Sequence, residues 1–312
     1  MRSGQRVLII GGKGQVSTSL LETFRTTSCH VRQLGRPAVD LLEPRSVADA
    51  IAKFEPTIVV NAAAYTAVDK AEDEPDVAKA VNAIGAEAVA KAATTAGAAI
   101  IHFSTDYVFD GRKTTPYVET DPIAPLGIYG QTKALGEHLV AAANPRHVIL
   151  RTAWVFSPFG SNFVRTILRL LSDRELQIVS DQYGTPTYAL DLADVVLGIA
   201  QRLSASPHSD CFGVFHAANT GSTTWFEFAR AINAVAARQG ATQRTIRPIS
   251  TKEYPTRARR PAYSVLATDK LQNVYGVRLR PWRDALDQCV DRLFANRTAQ
   301  LETKRPLPEL EK

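Results

Sequence analysis

Residues 7–14 read Val-Leu-Ile-Ile-Gly-Gly-Lys-Gly, a short apolar run that ends abruptly at glycines. The run has the length and branched side chains of a buried strand, and a helix-like pattern follows it from Gln15 to about Arg25. A glycine-rich turn between a strand and a helix lets the backbone approach a pyrophosphate, whose charge the helix N-terminus receives. The stretch therefore predicts the first half of a dinucleotide-binding βαβ unit.

Strand-like and helix-like segments alternate along the first half of the chain. The strand-like segments are continuous apolar runs, which is typical of a parallel sheet covered by helices on both faces. This order predicts an α/β fold with a doubly wound, parallel Rossmann-type sheet. The later predicted strands cover 30–34, 57–60, 98–103 and 147–150, and the helices cover 44–53, 76–96 and 129–142.

The pattern changes after about residue 180, where elements become shorter and turns with Pro or Gly separate them. We predict a dinucleotide-binding domain over 1–180, to which some later segments return. A smaller C-terminal substrate-binding lobe is expected over 181–295, and a flexible tail rich in charge and Pro over 296–312. The predicted helices of the lobe lie near 190–203, 225–238 and 282–294.

The composition argues against several classes of protein. The 312 residues are 45% hydrophobic and 22% charged, ordinary values for a globular enzyme, and carry a formal net charge of +6. No basic stripe with interleaved aromatic residues suggests a nucleic-acid partner, and no apolar run approaches the roughly 20 residues that span a bilayer. Cys29, Cys211 and Cys289 are too dispersed for a disulfide framework or a zinc site. With no leader pattern at the start, the expected location is cytoplasmic.

One tight basic run, Arg257, Arg259 and Arg260, stands out from otherwise scattered charges. A run of this kind is compatible with a solvated loop. It is equally compatible with a clamp for phosphate anions. The sequence leaves both interpretations open.

The end of the second strand bears on the choice of cofactor. An acidic residue there binds the ribose 2′-hydroxyl of NAD, whereas a basic residue accommodates the 2′-phosphate of NADP. The sequence here is Gly35-Arg36, with no acid, which favours NADPH and leaves NADH possible. Further on, Asp40 and Leu41 are candidates for the adenine side, Asp40 through a hydrogen bond and Leu41 through packing. Ser17, at the third glycine position of the usual motif, is small enough to keep the helix close to the sheet.

A hydroxyl, a phenol and an amine are placed to reduce a carbonyl. Tyr129 and Lys133 are four residues apart at the start of a predicted helix and so share a face. Thr105 follows the fourth predicted strand, and open α/β sheets bind their ligands at the carboxyl ends of strands. Tyr129 is the expected proton donor, with its pKa lowered by the Lys133 ammonium, and Thr105 is expected to hydrogen-bond the same carbonyl oxygen. Lys133 is also expected to contact the nicotinamide ribose.

Six segments in this order resemble the extended short-chain dehydrogenase/reductase family, and within it the reductases of 4-keto sugars carried on dTDP. Together they span about residues 6–294 and are far more specific than the glycine turn. The resemblance implies reduction of the C4 ketone of dTDP-4-dehydro-L-rhamnose to dTDP-L-rhamnose, with Thr105, Tyr129 and Lys133 as the catalytic set. The segments are residues 61–72, 104–111, 129–133, 151–156, 181–187 and 260–261.

The resemblance also assigns binding residues. Val68, Thr105, Asp106, Tyr107 and Trp154 are expected at the sugar and nucleotide, Trp154 by stacking. The small side chains of 62–64 leave room for a flat cofactor beside the backbone. The expected cofactor-binding set is Gly11, Gly14, Gln15, Val16, Arg36, Asp40, Leu41, Ala62, Ala63, Ala64, Tyr65 and Lys133.

Some relatives form dimers held partly by magnesium bound to glutamates. The matching positions here hold Ser19 and Leu190, which supply no carboxylate for a hard cation. No metal is therefore expected. The expected assembly is a monomer or a weak homodimer.

Three other functions stay open from sequence alone. A 4-ketoreductase for a different dTDP-deoxysugar would carry the same catalytic set. A catalytically silent, cofactor-binding regulatory subunit would have no need to keep Tyr129 and Lys133 on one helix face. A dehydratase or epimerase of the superfamily needs further acid–base residues, and a dehydratase typically shows Asp-Glu after the threonine, where Asp106 is followed here by Tyr107.

Overall fold

A computed structural model describes residues 4–171, 175–205 and 209–302. Six parallel strands form the central sheet, in the order β10-β5-β4-β3-β1-β2. The strands are β1 Arg6–Ile10, β2 His30–Leu34, β3 Ile58–Asn61, β4 Ala99–Thr105, β5 His147–Thr152, β6 Val155–Phe156, β7 Leu176–Val179, β8 Tyr183–Gly184, β9 Thr187–Tyr188, β10 Gly213–His216, β11 Thr223–Thr224 and β12 Ile246–Ile249. The α-helices are α1 Gln15–Arg25, α2 Pro44–Phe54, α3 Val68–Ala71, α4 Pro75–Lys79, α5 Ala86–Thr95, α6 Ile128–Ala143, α7 Phe163–Leu170, α8 Ala189–Ala205, α9 Trp225–Arg238, α10 Asp269–Tyr275 and α11 Trp282–Glu302.

The two faces of the sheet are both covered, as the continuous apolar strands predict. Alternate residues of β1 point to opposite faces, so Val7 and Ile9 pack with α1 and α8, whereas Leu8 and Ile10 pack with α2 and α5. The chain leaves β1 toward β2 on one side and reaches β3 on the other. A ligand crevice is therefore expected outside the carboxyl ends of β1 and β3.

The predicted α/β fold with a doubly wound parallel sheet is confirmed. Strand β10, residues 213–216, returns from the second half of the chain to pair with β5. A strand of four residues is too short for its sequence pattern to show that it belongs to this sheet. Helix α8 likewise packs against α1 of the main domain.

One predicted helix is wrong as a single element. The Ala-rich stretch 76–96 divides into α4, a π-helical segment Ala80–Gly85 and α5. Inside the π segment, the Asn82 side chain accepts from Tyr65 N at 2.8 Å and donates to Tyr65 O at 3.1 Å. Asn82 thereby ties the loop after β3 to this helix, a contact that composition does not reveal.

A second hydrophobic cluster holds the smaller lobe together. It joins α7, β6, β9, α9 and α11 around Phe156, Tyr188, Phe228 and Trp282. Helix α7 and strand β7 belong to this lobe although they precede residue 180, so the division at 180 stays a prediction. The tail predicted over 296–312 is helical up to Glu302, and its residues 303–312 lie outside the described part of the chain.

Candidate active site

The glycine turn after β1 leaves its backbone open to close approach by a ligand. Gly11 has φ +149°, and a Cβ there would lie 3.0 Å from the Ser17 Cβ. Helix α1 then begins after Gly14 with no side chain capping its first N–H groups. Ser17, at the third glycine position, donates from Oγ to the carbonyls of Gly12 at 2.8 Å and Gly14 at 3.0 Å. The serine therefore fastens the turn, and the helix N-terminus stays available to an anion.

The turn after β2 lies directly against the glycine turn. A Cβ on Gly35 would lie 2.6 Å from the Gly12 Cα, so only glycine fits there. The next residue, Arg36, is exposed at this edge. The structure thus brings Arg36 beside the turn that is expected to hold the pyrophosphate.

Asp40 and Leu41 are engaged by the protein itself. The Asp40 carboxylate accepts a hydrogen bond from the Leu42 N–H of its own loop at 3.0 Å. Leu41 is a core residue, 6% exposed. It packs so closely on Gly85 that a Cβ at Gly85 would lie 2.7 Å from the Leu41 Cβ. A packing role explains Leu41 without a ligand, and its expected adenine contact stays a prediction.

Gln15 carries an unused polar atom at the start of α1. Its amide Nε2 donates to Val155 O at 3.1 Å, whereas Oε1 is buried without a partner among the described residues. Buried polar atoms without partners are rare, and an oxygen at this position is suited to accept from a ligand hydroxyl. Gln15 and the half-buried Val16 both lie beside the glycine turn, and their contact with a cofactor stays a prediction.

The segment after β3 supplies small side chains and two fixed hydrogen bonds. Ala62 N donates to Ile10 O at 2.8 Å, and Ala63 N donates to the Asn61 Oδ1 at 3.2 Å. Ala62, Ala63 and Ala64 are each half-buried at the carboxyl end of the sheet. The Tyr65 hydroxyl points elsewhere, because it donates to Glu74 Oε2 at 2.8 Å.

The three predicted catalytic side chains converge at the end of β4. Thr105 is the last residue of β4, and the Tyr129 phenol lies beside its hydroxyl. Lys133 lies one turn further along α6, is 2% exposed, and donates to the Phe103 carbonyl at 2.6 Å. A hydroxyl, a phenol and an amine therefore meet at the edge of the sheet where ligands bind.

The pKa values differ from the expected direction. Burial raises the pKa of Tyr129 to about 12, and the neighbouring Thr105 side chain opposes this rise only partly. Burial also lowers the pKa of Lys133 to about 8, although the Glu137 carboxylate raises it. The prediction that Lys133 lowers the phenol pKa is wrong for this structure, because desolvation of the phenol outweighs any nearby positive charge.

Two local contacts place α6 against β4. The Glu72 Oε1 accepts from the Ile128 N–H at 2.8 Å and so satisfies the first turn of the helix that carries Tyr129. Gly130 lets the helix touch the segment after β4, because a Cβ there would lie 2.2 Å from Tyr107 O. The acidic residue and the glycine are both positioning elements, and no local sequence pattern marks either of them for this role.

The expected sugar-side residues lie around the phenol. The Tyr107 and Tyr129 rings meet edge to face with centroids 5.7 Å apart, and Val68 lines the same small pocket. The Asp106 carboxyl accepts from the Thr105 hydroxyl at 3.0 Å, and burial raises its pKa to about 6. A polar wall of hydroxyl and carboxyl groups thus borders the proton donor.

A cleft of about 730 Å³ opens in the smaller lobe, between α7, β7 and β12. Trp225 lines it, and the Trp225 ring stacks on Trp154 with centroids 3.6 Å apart. Trp225 therefore covers one face of the Trp154 ring. A ligand could stack only on the other face, and the expected stacking of Trp154 stays a prediction. Sequence reasoning missed Trp225, because a helix-start tryptophan gives no signal of its partner across the lobe.

The basic run is paired to the segment after β3. Arg260 makes two hydrogen bonds to the Asp69 carboxylate, at 2.6 and 3.1 Å, and it also lines the cleft. Arg257 pairs with Asp73 at 2.7 Å, whereas Arg259 lines the small pocket beside Tyr129. The run is thus a bridge between the two pockets, partly neutralised by carboxylates.

The described ranges 4–171, 175–205 and 209–302 contain no group of three or more His, Cys, Asp or Glu side chains that could hold a metal ion. Ser19 donates to Gln15 O at 2.9 Å, and Leu190 packs on the core of the smaller lobe. Among the same residues, no helix is both long and apolar enough to cross a bilayer.

The doubly wound sheet, the glycine turn and the relatives described below place the chain among the nicotinamide-dependent reductases of the short-chain dehydrogenase type. Within that class the chain belongs to the RmlD substrate binding domain family, whose model matches residues 5–295.

Relatives cover nearly the whole chain. A dTDP-4-dehydrorhamnose reductase of Sinorhizobium fredii is 44% identical over 286 residues, 91% of this chain and 96% of the relative. The crystal structure of a dTDP-4-dehydrorhamnose reductase from Clostridium acetobutylicum is 36% identical and superposes with a TM-score of 0.87, covering 93% of this chain and 99% of that one. The Bacillus anthracis enzyme, solved in complex with NADP, is 34% identical with a TM-score of 0.86, covering 92% and 99%.

Proposed function

We propose that the chain is a dTDP-4-dehydrorhamnose reductase that reduces the C4 ketone of dTDP-4-dehydro-L-rhamnose to give dTDP-L-rhamnose. The observation that carries the proposal is the position of the Tyr129 phenol beside the Thr105 hydroxyl at the carboxyl end of β4, with Lys133 buried one helical turn away. The identity of 44% to a reductase of this name, over nearly the full length of both chains, supports the same substrate.

The residues present fit a nicotinamide dinucleotide. The glycine turn has room that a Cβ would fill at Gly11, and the uncapped start of α1 accepts negative charge. The buried Gln15 Oε1, which lacks a partner among the described residues, is an acceptor for a ligand hydroxyl. We assign NADPH as the cofactor, held by the glycine turn, Arg36 and Lys133, with NADH as a weaker substitute. When bound, the cofactor supplies the hydride.

Tyr129 supplies the proton. Its pKa of about 12 keeps the phenol protonated at neutral pH, as a proton donor must be. Thr105 lies beside the phenol, and its hydroxyl, which donates to Asp106 in this structure, can turn to donate to the same carbonyl oxygen and stabilise the charge that develops there. Lys133, with a pKa of about 8, exchanges its proton near neutral pH and is suited to replenish the phenol.

The nucleotide is assigned to the cleft of the smaller lobe. Arg247 and Arg260 line it and favour an anionic diphosphate, while Trp225 and Phe163 provide aromatic surface for a base. The sugar then extends past Arg259 toward Val68 and Tyr107. The 258–261 segment borders both pockets and so connects the two parts of one substrate.

The test is NADPH oxidation with the dTDP-4-keto sugar produced by the preceding epimerisation. A panel of other dTDP-4-keto sugars and the matching UDP-sugar provides the comparison. Preference for dTDP-4-dehydro-L-rhamnose by kcat/KM supports the proposal. Turnover of another deoxysugar with higher kcat/KM would assign the chain to a sister 4-ketoreductase, and no turnover with tight NADPH binding would indicate a silent regulatory subunit.

Removing Arg36 tests the cofactor assignment. We expect Arg36→Ala to weaken NADPH binding by about tenfold, through the loss of one charge-assisted hydrogen bond to the 2′-phosphate. NADH binding should stay unchanged, because NADH lacks that phosphate. Titration calorimetry with both cofactors measures the difference, and Arg202→Ala, an exposed arginine on α8, is the matched control. Equal weakening of both cofactors would contradict the assignment.

A further inference from the structure

A chain of buried hydrogen-bonding groups lies behind the proposed catalytic lysine. His102 is the fourth residue of β4 and is 1% exposed. Its Nε2 lies 3.4 Å from the Lys133 Nζ, and its Nδ1 lies 3.1 Å from the Asn61 Nδ2. The reaction outlined above gives His102 no role, and burial of an imidazole costs free energy unless its nitrogens are hydrogen-bonded.

The orientation of Asn61 fixes the tautomer of His102. The Asn61 Oδ1 accepts from the Ala63 N–H at 3.2 Å, so the amide Nδ2 is the group that faces the imidazole. Because Nδ2 only donates, the His102 Nδ1 must be the acceptor. A neutral imidazole with a bare Nδ1 carries its proton on Nε2.

The fixed tautomer directs an N–H at the lysine. An ammonium has three N–H donors and no acceptor, so it cannot bond a histidine N–H. A neutral amine has a lone pair that accepts it while one amine N–H still donates to the Phe103 carbonyl. Charging His102 instead is unfavourable, because burial and the neighbouring Lys133 both hold the pKa of His102 well below its usual range.

We propose that His102 is a positioning residue that controls the protonation of Lys133: its Nε2–H, oriented by Asn61, donates to the lysine nitrogen and so favours the neutral amine. The inference rests on the proposed reductase function only for its kinetic consequence. The geometry itself requires only the asparagine, the histidine and the lysine.

The other charged and titratable groups around Lys133 act in known directions. On its own helix, the Glu137 carboxylate favours the ammonium, and Glu137 is itself paired with Arg151 of β5 at 2.7 Å. Tyr129, also on α6, is protonated and uncharged at neutral pH. Among these groups, His102 from β4 is the one whose hydrogen-bond donor faces Nζ.

Replacing His102 by glutamine tests the proposal directly. The Gln side-chain oxygen can turn toward Nζ and accept from it, which favours the ammonium, whereas His102→Leu removes the donor and adds no acceptor. Lysine labelled with ¹³C at Cε allows Lys133 to be titrated by NMR, with its signal assigned from its loss in Lys133→Arg. We expect the pKa of Lys133 to rise by about one unit or more in His102→Gln, and by less in His102→Leu. His147→Gln, at the opposite end of the sheet, is the matched control and should leave the titration unchanged.

The kinetic readout separates this inference from the proposed function. If Lys133 supplies protons, the alkaline limb of the kcat/KM profile should move to higher pH in His102→Gln, by the same amount as the pKa of Lys133 measured by NMR. If the pKa of Lys133 shifts in the NMR titration but the alkaline limb of kcat/KM stays in place, the control of Lys133 by His102 is supported. The same result would contradict the role of Lys133 as the proton supply. A pKa of Lys133 that stays in place in both variants, whether or not the melting temperature falls, would overturn the inference and leave His102 a purely structural residue.

Discussion

Replacing Tyr129 by phenylalanine is expected to lower kcat by about 10²–10⁴-fold, the usual contribution of a positioned general acid. The phenol lies beside the Thr105 hydroxyl at the end of β4, and it shares a helix with Lys133. The ring of phenylalanine keeps the edge-to-face contact with Tyr107, so the pocket should retain its shape. Stopped assays of dTDP-4-dehydro-L-rhamnose reduction measure the loss.

Measuring NADPH binding shows whether Tyr129→Phe loses only the proton donor or also disturbs the structure. The Tyr129→Phe variant should bind NADPH with nearly normal affinity, because the glycine turn and Arg36 are untouched. Tyr183→Phe makes the same chemical change on β8, where the ring is half-exposed, and should keep full activity. Retained turnover in Tyr129→Phe would remove this residue from the proton-donor role.

The effect of Tyr129→Phe rests on groups that local sequence patterns reveal well. The glycine turn, the apolar strands and the Tyr129–Lys133 spacing depend on residues close together in the chain, so periodicity and motif spacing predict them. The sheet brings Thr105 to the same edge because parallel strands share their carboxyl ends. Local sequence patterns therefore predict these groups and the edge of the sheet that they share.

Groups from distant parts of the chain were not predictable. Glu72 satisfies the start of α6 across 56 positions, and Arg260 pairs with Asp69 across 191 positions. Neither partner has a local pattern that marks it, since isolated acidic residues are usually solvated. The raised pKa of Tyr129 was missed for a related reason, because desolvation depends on everything packed around the phenol.

Glutamine in place of Glu137 should destabilise the protein by about 3–5 kcal/mol, the usual result of removing one partner from a buried ion pair. Arg151 donates to the Glu137 carboxylate from Nε at 2.9 Å and Nη2 at 2.7 Å, and the Ser104 hydroxyl donates at 2.5 Å. The Arg151 and Glu137 side chains are only 3% and 5% exposed, so water cannot replace the lost charge. Urea unfolding, followed by fluorescence and circular dichroism together, measures the change.

Two comparison variants show that the loss comes from an unpaired buried charge. Glu227→Gln breaks an exposed pair with Arg230, 44% and 60% exposed, and should change stability by less than about 1 kcal/mol. The double variant Glu137→Leu with Arg151→Met removes both charges and should recover much of the stability lost in Glu137→Gln. A Glu137→Gln protein within about 1 kcal/mol of the parent would show that the arginine finds other compensation.

Glu137→Gln should also change the pH dependence of the reaction, and the direction of that change can be predicted. The Glu137 carboxylate raises the pKa of Lys133, so its neutralisation should lower that pKa further below about 8. The alkaline limb of kcat/KM should then move to lower pH in Glu137→Gln, opposite to the shift expected for His102→Gln. Measuring both variants under the same conditions compares the two signs, and shifts in the same direction would show that changes in packing, rather than local charge and hydrogen bonding, govern the lysine.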